Sequence, residues 1–146
     1  AAVDINPSGF HERIGLAMAL IWSGQSEQAL PHLEMSLRLS PRNPSLGPVL
    51  VRFAEVHFQL GDYEKSVDYA TQALLRPETG ILGNCVKTSA LAHLGRQDEA
   101  VEALNELLHR RPGMSVSLMK ESVTITDPAF LATYLDGLRK AGLPEN

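Results

Sequence analysis

Three short stretches decide the fold: Trp22-Ser23-Gly24-Gln25, Gln59-Leu60-Gly61-Asp62-Tyr63 and His93-Leu94-Gly95-Arg96. Each brings an apolar run to a stop at a glycine, and the glycines stand 37 and 34 residues apart. Glycine tolerates the left-handed backbone that ends a helix, and periods of this length mark stacked helical hairpins. The prolines keep the same beat, since Pro7, Pro41, Pro77 and Pro112 are spaced by 34, 36 and 35 residues. Proline lacks an N–H and stops the second helix of each pair.

Working outward from the glycines, the side chains repeat too. Five residues beyond each glycine stands Ala29, Ser66 or Ala100, and seven before it stands Ala17, Ala54 or Thr88. Small residues at these places let the two helices of a hairpin approach closely. The second helices carry apolar stripes at helical spacing: Ala29, Leu30, Leu33, Leu37, then Val67, Ala70, Ala73, Leu74, then Ala100, Leu104, Leu107, Leu108. Three hairpins are predicted, over 10–43, 44–80 and 81–113. A partial repeat precedes them over 1–9, because Ala2-Val3-Asp4-Ile5-Asn6-Pro7 matches Ser36-Leu37-Arg38-Leu39-Ser40-Pro41 one period later. With the chain opening at Ala1 and not at a methionine, an upstream repeat is expected. The extra length between the first two hairpins falls in the Pro- and Gly-rich stretch 41–48, where a loop absorbs it cheaply.

Beyond Pro112 the period stops, and residues 114–146 are expected to form a capping segment. A short helix is predicted around 115–121, then an extended connector over 122–126. In the last helix Asp127 is the cap, Pro128 takes the first turn and Gly142 ends it. Leu138 and Leu143 are placed for the apolar contact that accompanies a glycine stop. Phe130, Leu131, Tyr134, Leu135 and Leu138 form its apolar face, which is expected to cover the exposed end of the stack.

The frame built on Gly61-Asp62-Tyr63-Glu64-Lys65-Ser66 and Ala73-Leu74 resembles the tetratricopeptide repeat, over nearly all the chain up to Gly113. Ser66 and Leu107 depart from the family's usual alanine. The resemblance implies an all-α fold, a right-handed superhelical array of antiparallel helix hairpins, used as a non-catalytic surface for protein or peptide. A narrower resemblance rests on Leu37-Arg38-Leu39-Ser40-Pro41-Arg42-Asn43-Pro44, on Asp127-Pro128-Ala129-Phe130 and on Gly137-Leu138-Arg139-Lys140-Ala141-Gly142-Leu143-Pro144-Glu145. Together they are similar to the carboxy-terminal tetratricopeptide region of bacterial class III adenylate/guanylate cyclases. That implies a regulatory region downstream of an output domain, in a bacterial cytoplasmic signalling protein. Similar tails follow winged-helix regulators, so the parent's front half stays open, and a self-association module pairing two copies is a further alternative.

In this family the first helix of each hairpin lines the concave surface. Counting ten, six and three residues before each glycine gives Ile14, Met18 and Ile21, then Val51, Glu55 and Phe58, then Cys85, Ser89 and Ala92; Leu82 lies beside them. These residues form a largely apolar candidate peptide groove. The chaperone-binding relatives grip a terminal carboxylate with a polar clamp, whereas the nearby matching positions here are Ile14, Met18, Leu82 and Val86. An apolar helix or extended segment is the expected occupant, with Met18 and Phe58 suited to adaptable contacts.

Composition excludes other classes. A net charge of −4 and a pI near 5.7 oppose nucleic-acid binding. The longest apolar run, 14–22, is too short to cross a bilayer. The histidines, His11, His32, His57, His93 and His109, never stand at the spacing that puts two ligands on one helical face, so no metal or other cofactor is expected. Cys85 is the single cysteine and has no basic neighbour in sequence to activate it. Asp98, Glu99, Glu102 and Glu106 read as a solvated helix face. No catalytic residue and no phosphate loop stands out.

Overall fold

The computed structural model describes residues 7–39 and 46–146, and every regular element within them is an α-helix. These are α1 (Pro7–Trp22), α2 (Ser26–Leu39), α3 (Leu46–Gln59), α4 (Tyr63–Leu74), α5 (Leu82–His93), α6 (Gln97–Arg110), α7 (Val116–Ser122) and α8 (Pro128–Ala141). The chain is thus all-helical, as the periodicity requires. The helix-end segment at Ala2-Val3-Asp4-Ile5-Asn6 and the boundary between the first two hairpins lie outside the described residues. The first hairpin begins earlier than residue 10. Pro7 opens α1, because a proline in the first helical turn forfeits no intrahelical bond and already has a helical φ.

The turns are built alike. Gly24, Gly61 and Gly95 have φ of +87°, +83° and +76°. Around each, the N–H three residues past the helix end reaches back to close the last turn: Gln25 to the Leu20 carbonyl at 2.7 Å, Asp62 to His57 at 2.8 Å and Arg96 to Leu91 at 3.0 Å. This glycine stop satisfies carbonyls that a helix end otherwise leaves unpaired. It reverses the chain within three residues and folds α2 onto α1, α4 onto α3 and α6 onto α5.

The small residues at the crossings, Ala17, Ala54, Thr88, Ala29, Ser66 and Ala100, are all fully buried. At the second hairpin the departure from alanine is accommodated locally, for the Ser66 hydroxyl donates to the Ala54 carbonyl at 2.7 Å. A buried hydroxyl with that partner escapes the cost of desolvation. The hairpins are joined by packing of α2 on α3 and of α4 on α5. The Gln59 side chain also ties the first two turns together, donating to the Ile21 carbonyl at 2.9 Å and accepting from the Ser26 N–H at 3.1 Å.

After α6 the chain turns back. Ser115 caps α7 by accepting from Leu118 N–H at 3.1 Å, and Asp127 caps α8 by accepting from Phe130 N–H at 2.9 Å. Gly142 ends α8 at φ +112°, with Leu143 N–H on the Leu138 carbonyl at 3.0 Å. The C-terminal tail then meets the start of α7, where Val116 and Ser117 donate to Pro144 and Glu145 carbonyls at 2.8 and 3.0 Å. Helix α8 packs on α5 and α6, as a cap on the third hairpin would.

A Cβ placed on Gly95 meets nothing within 4 Å, whereas one on Gly24 would come within 2.8 Å of Asp127 Cγ. Gly95→Ala is therefore expected to lose about 1 kcal/mol, from the left-handed backbone alone. Gly24→Ala should lose more, because it also displaces the cap of α8. Paired urea denaturation curves check the order.

Candidate interaction groove

Helices α1, α3 and α5 present one common face, and the chain's own C-terminal segment lies on it. The connector before α8 meets the first hairpin, where Thr126 and Asp127 N–H groups donate to the Trp22 carbonyl at 2.9 and 3.0 Å. The start of α8 meets the second hairpin, with the Phe130 and Tyr134 rings each 5.9 Å from the Phe58 ring. Its middle meets the third, where Ser89 Oγ donates to the Tyr134 carbonyl at 2.9 Å and His93 Nε2 lies 2.8 Å from the Thr133 carbonyl. The C-terminal segment thus touches all three hairpins, the first through the connector and the second and third through α8.

Gly137 permits this approach. A Cβ there would stand 2.7 Å from the Ser89 carbonyl oxygen and 2.8 Å from its Cα. The two backbones can meet only because position 137 has no side chain and position 89 has a small one. The aromatic cluster continues past α8, with Phe58 against Tyr63 at 5.2 Å and Tyr63 stacked on His93 at 5.1 Å.

The expected groove residues divide into three groups, with Ile14 apart. Phe58, Cys85 and Ser89 are buried beneath α7 and α8; Cys85 Sγ lies 4.0 Å from Met119 Sδ. Ile21, Val51 and Ala92 are buried in the apolar core. Met18, Glu55 and Leu82 line a cavity of about 350 Å³ left between the hairpins and the C-terminal segment. Ile14 is half-buried and packs against the core from α1.

Sequence reasoning missed Arg52, Trp22 and Tyr134, which stand in the same cavity wall. Arg52 and Glu55 form a buried ion pair, with Nη1 to Oε1 at 3.0 Å and side chains 8% and 4% exposed. The Arg52 guanidinium lies over the Trp22 ring, 5.4 Å from its centroid. Burial pushes the Glu55 carboxyl above its ordinary pKa, while Arg52 and the Trp22 indole pull it back. The available signal was a charged i, i+3 pair in an otherwise apolar helix, LGPVLVRFAEVHFQ.

The site does not favour covalent chemistry. Burial pushes the Cys85 thiol up to about 12, against the weaker opposing effect of the adjacent Tyr134 hydroxyl, so it is protonated at neutral pH. Tyr134 is likewise raised by burial. Among the described residues no cluster of His, Cys, Asp and Glu is arranged to hold a metal ion. No helix there is long and apolar enough to cross a membrane.

The tetratricopeptide repeat family model matches residues 12–74. The matched part holds most of α1 and all of α2, α3 and α4. The third tetratricopeptide-type hairpin, α5 and α6, lies beyond it and repeats the same glycine stop. No curated protein and no solved structure matches the chain significantly. Tetratricopeptide arrays generally serve as protein-binding surfaces, which is the coarse functional reading that the hairpins support.

Two outcomes are expected at this face. Phe58→Glu should unfold the chain, since it buries a carboxylate among aromatic rings, whereas Met18→Glu should leave the circular dichroism spectrum intact. Arg52→Met should lose about 3 kcal/mol by stranding Glu55, and Arg52→Met with Glu55→Leu should recover most of it. Chemical denaturation of both variants tests the second expectation.

Proposed function

We propose that this chain is a non-catalytic protein-interaction module whose inner face receives an apolar helix, and that α8 is the occupant in the closed form. The observation that carries this reading is the seating of α8 on the second and third hairpins, anchored by Phe130, Tyr134 and Leu138, with its connector tied to the first. Recognition of an amphipathic helix by a groove proceeds through such spaced apolar anchors. A partner helix with the same spacing of anchors would compete with α8 for the same residues, Phe58, Cys85 and Ser89.

In its finer form the reading makes this module the regulatory tail of a cytoplasmic, adenylate/guanylate cyclase-like signalling protein. The likeness of the ending from Asp127 to Glu145 supports that placement. Docking and release of α8 would then be the event that reports a partner to the output domain. The full open reading frame tests it directly: a cyclase segment upstream of Ala1 is the expected result, and a winged-helix segment would redirect the pathway.

The groove itself is tested with Gly137→Leu, which forces α8 off Ser89. A fluorescent peptide of residues 126–144 should bind this variant with a saturable rise in anisotropy and leave the unmodified chain alone. If the variant unfolds, α8 is part of the core and not a displaceable occupant, and the reading fails. A folded variant that binds no peptide would count against it equally.

A further inference from the structure

The cavity beside α8 has features that the interaction reading does not use. Its volume of about 350 Å³ falls within the range of about 300–1,000 Å³ usual for small-ligand sites. Its walls are mainly apolar, with Met18, Met119, Ile125 and Tyr134 around the Trp22 ring. Methionines adapt their shape to an apolar guest. The chain's own α7 and connector add Ser122, Val123 and Thr124 to the lining. A space of this size suits a small molecule rather than a segment of another protein.

The polar groups are few and unevenly matched. Two guanidinium groups, Arg52 and Arg111, line the cavity against a single carboxylate, Glu55. Arg52 and Glu55 are each more than nine-tenths buried, yet Arg52 Nη1 and Glu55 Oε1 have no hydrogen-bond partner among the described residues. They lie 3.0 Å apart in an orientation that makes an ion pair without a hydrogen bond. A guanidinium offers five N–H donors in a planar fork, and carboxylate is the group that fits it two bonds at a time. A cation would instead face both arginines to reach one carboxylate.

We propose that this cavity binds a small monocarboxylate with an apolar body, its carboxylate held by Arg52 and Arg111 and its hydrocarbon part lying among Met18, Met119, Ile125 and Trp22. Arg111 is exposed at the end of α6 and serves as the outer contact. Arg52, steadied over Trp22, is the inner one. Because the ligand sits against α7, the connector and Tyr134, its binding would also hold the C-terminal segment closed.

Burial raises the Glu55 carboxyl above its ordinary value, against the pull of Arg52. With two guanidinium groups against one carboxylate, the lining carries an excess of positive charge. The walls offer a phosphate no glycine-rich cradle, and they are too apolar for a sugar.

Trp22 is the only tryptophan of the chain and lines the cavity, so its fluorescence reports occupancy in the full chain. Octanoate, below its micelle concentration, should give a saturable change at least tenfold tighter than 1-octanol, and octyltrimethylammonium should give none. Arg111→Gln, an exposed substitution, should weaken octanoate several-fold. Arg52→Met with Glu55→Leu should erase the preference for octanoate over octanol. Equal binding of octanoate and octanol to the unmodified chain would overturn the carboxylate assignment, and no saturable change with octanoate would overturn the site. A peptide with a free C-terminal leucine that binds at this cavity where octanoate does not would overturn the small-molecule reading. Neither result touches the α8 groove, which is read by peptide anisotropy on Gly137→Leu.

Discussion

The left-handed glycine that ends the first helix of each hairpin is the constraint on which the architecture depends. At Gly24, Gly61 and Gly95 a positive φ and a back-reaching N–H stop one helix and start the next within three residues. So tight a turn leaves the two helices no option but close contact, and the buried small residues Ala17, Ala54, Thr88, Ala29, Ser66 and Ala100 make that contact free of clash. Because the device recurs at nearly equal intervals, the first helices α1, α3 and α5 are brought to a common face. Everything functional in this chain follows from what that face meets.

What it meets is the chain itself. Helix α8 buries Phe130, Tyr134, Leu135 and Leu138 on the hairpins, and the contact closes because Gly137 and Ser89 are both small. The aromatic rings of Phe58, Phe130 and Tyr134 supply large apolar area at the crossing, in the tilted and edge-to-face arrangements that rings favour. Three polar bonds, from the Ser89 hydroxyl to the Tyr134 carbonyl and from the Thr126 and Asp127 N–H groups to the Trp22 carbonyl, fix the register of the segment. The face is built from shape and apolar spacing, and burial holds its Cys85 thiol protonated at neutral pH.

The cavity is a by-product of that closure and has chemistry of its own. A C-terminal segment laid across three stacked hairpins cannot fill every space, and the space left over falls where α3 carries its one buried ion pair, Arg52 with Glu55. Such pairs seldom stabilise a fold more than apolar residues of the same size would. Their presence on an otherwise apolar helix is not accounted for by stability alone. It links the packing of α7 and α8 to the chemistry of a small guest.

The sequence by itself determined whatever depends on neighbours along the chain. Helix stops at Gly24, Gly61, Gly95 and Gly142, caps at Ser115 and Asp127, the proline at 128 and the burial of Ala29 or Leu33 all follow from local backbone chemistry and a 3.6-residue period. Pro7 opens α1, a role that sequence alone does not separate from that of a proline following a helix, because the two look alike. Only the tertiary structure decided where the apolar face of α8 goes, since Phe130, Tyr134 and Leu138 declare that they are buried but not against what. The match of Gly137 with Ser89, and the company that Arg52 keeps with Trp22 and Tyr134, join residues far apart in the chain. Those pairings are set by which surfaces remain uncovered after the hairpins stack, a property of the assembled shape that no local pattern carries.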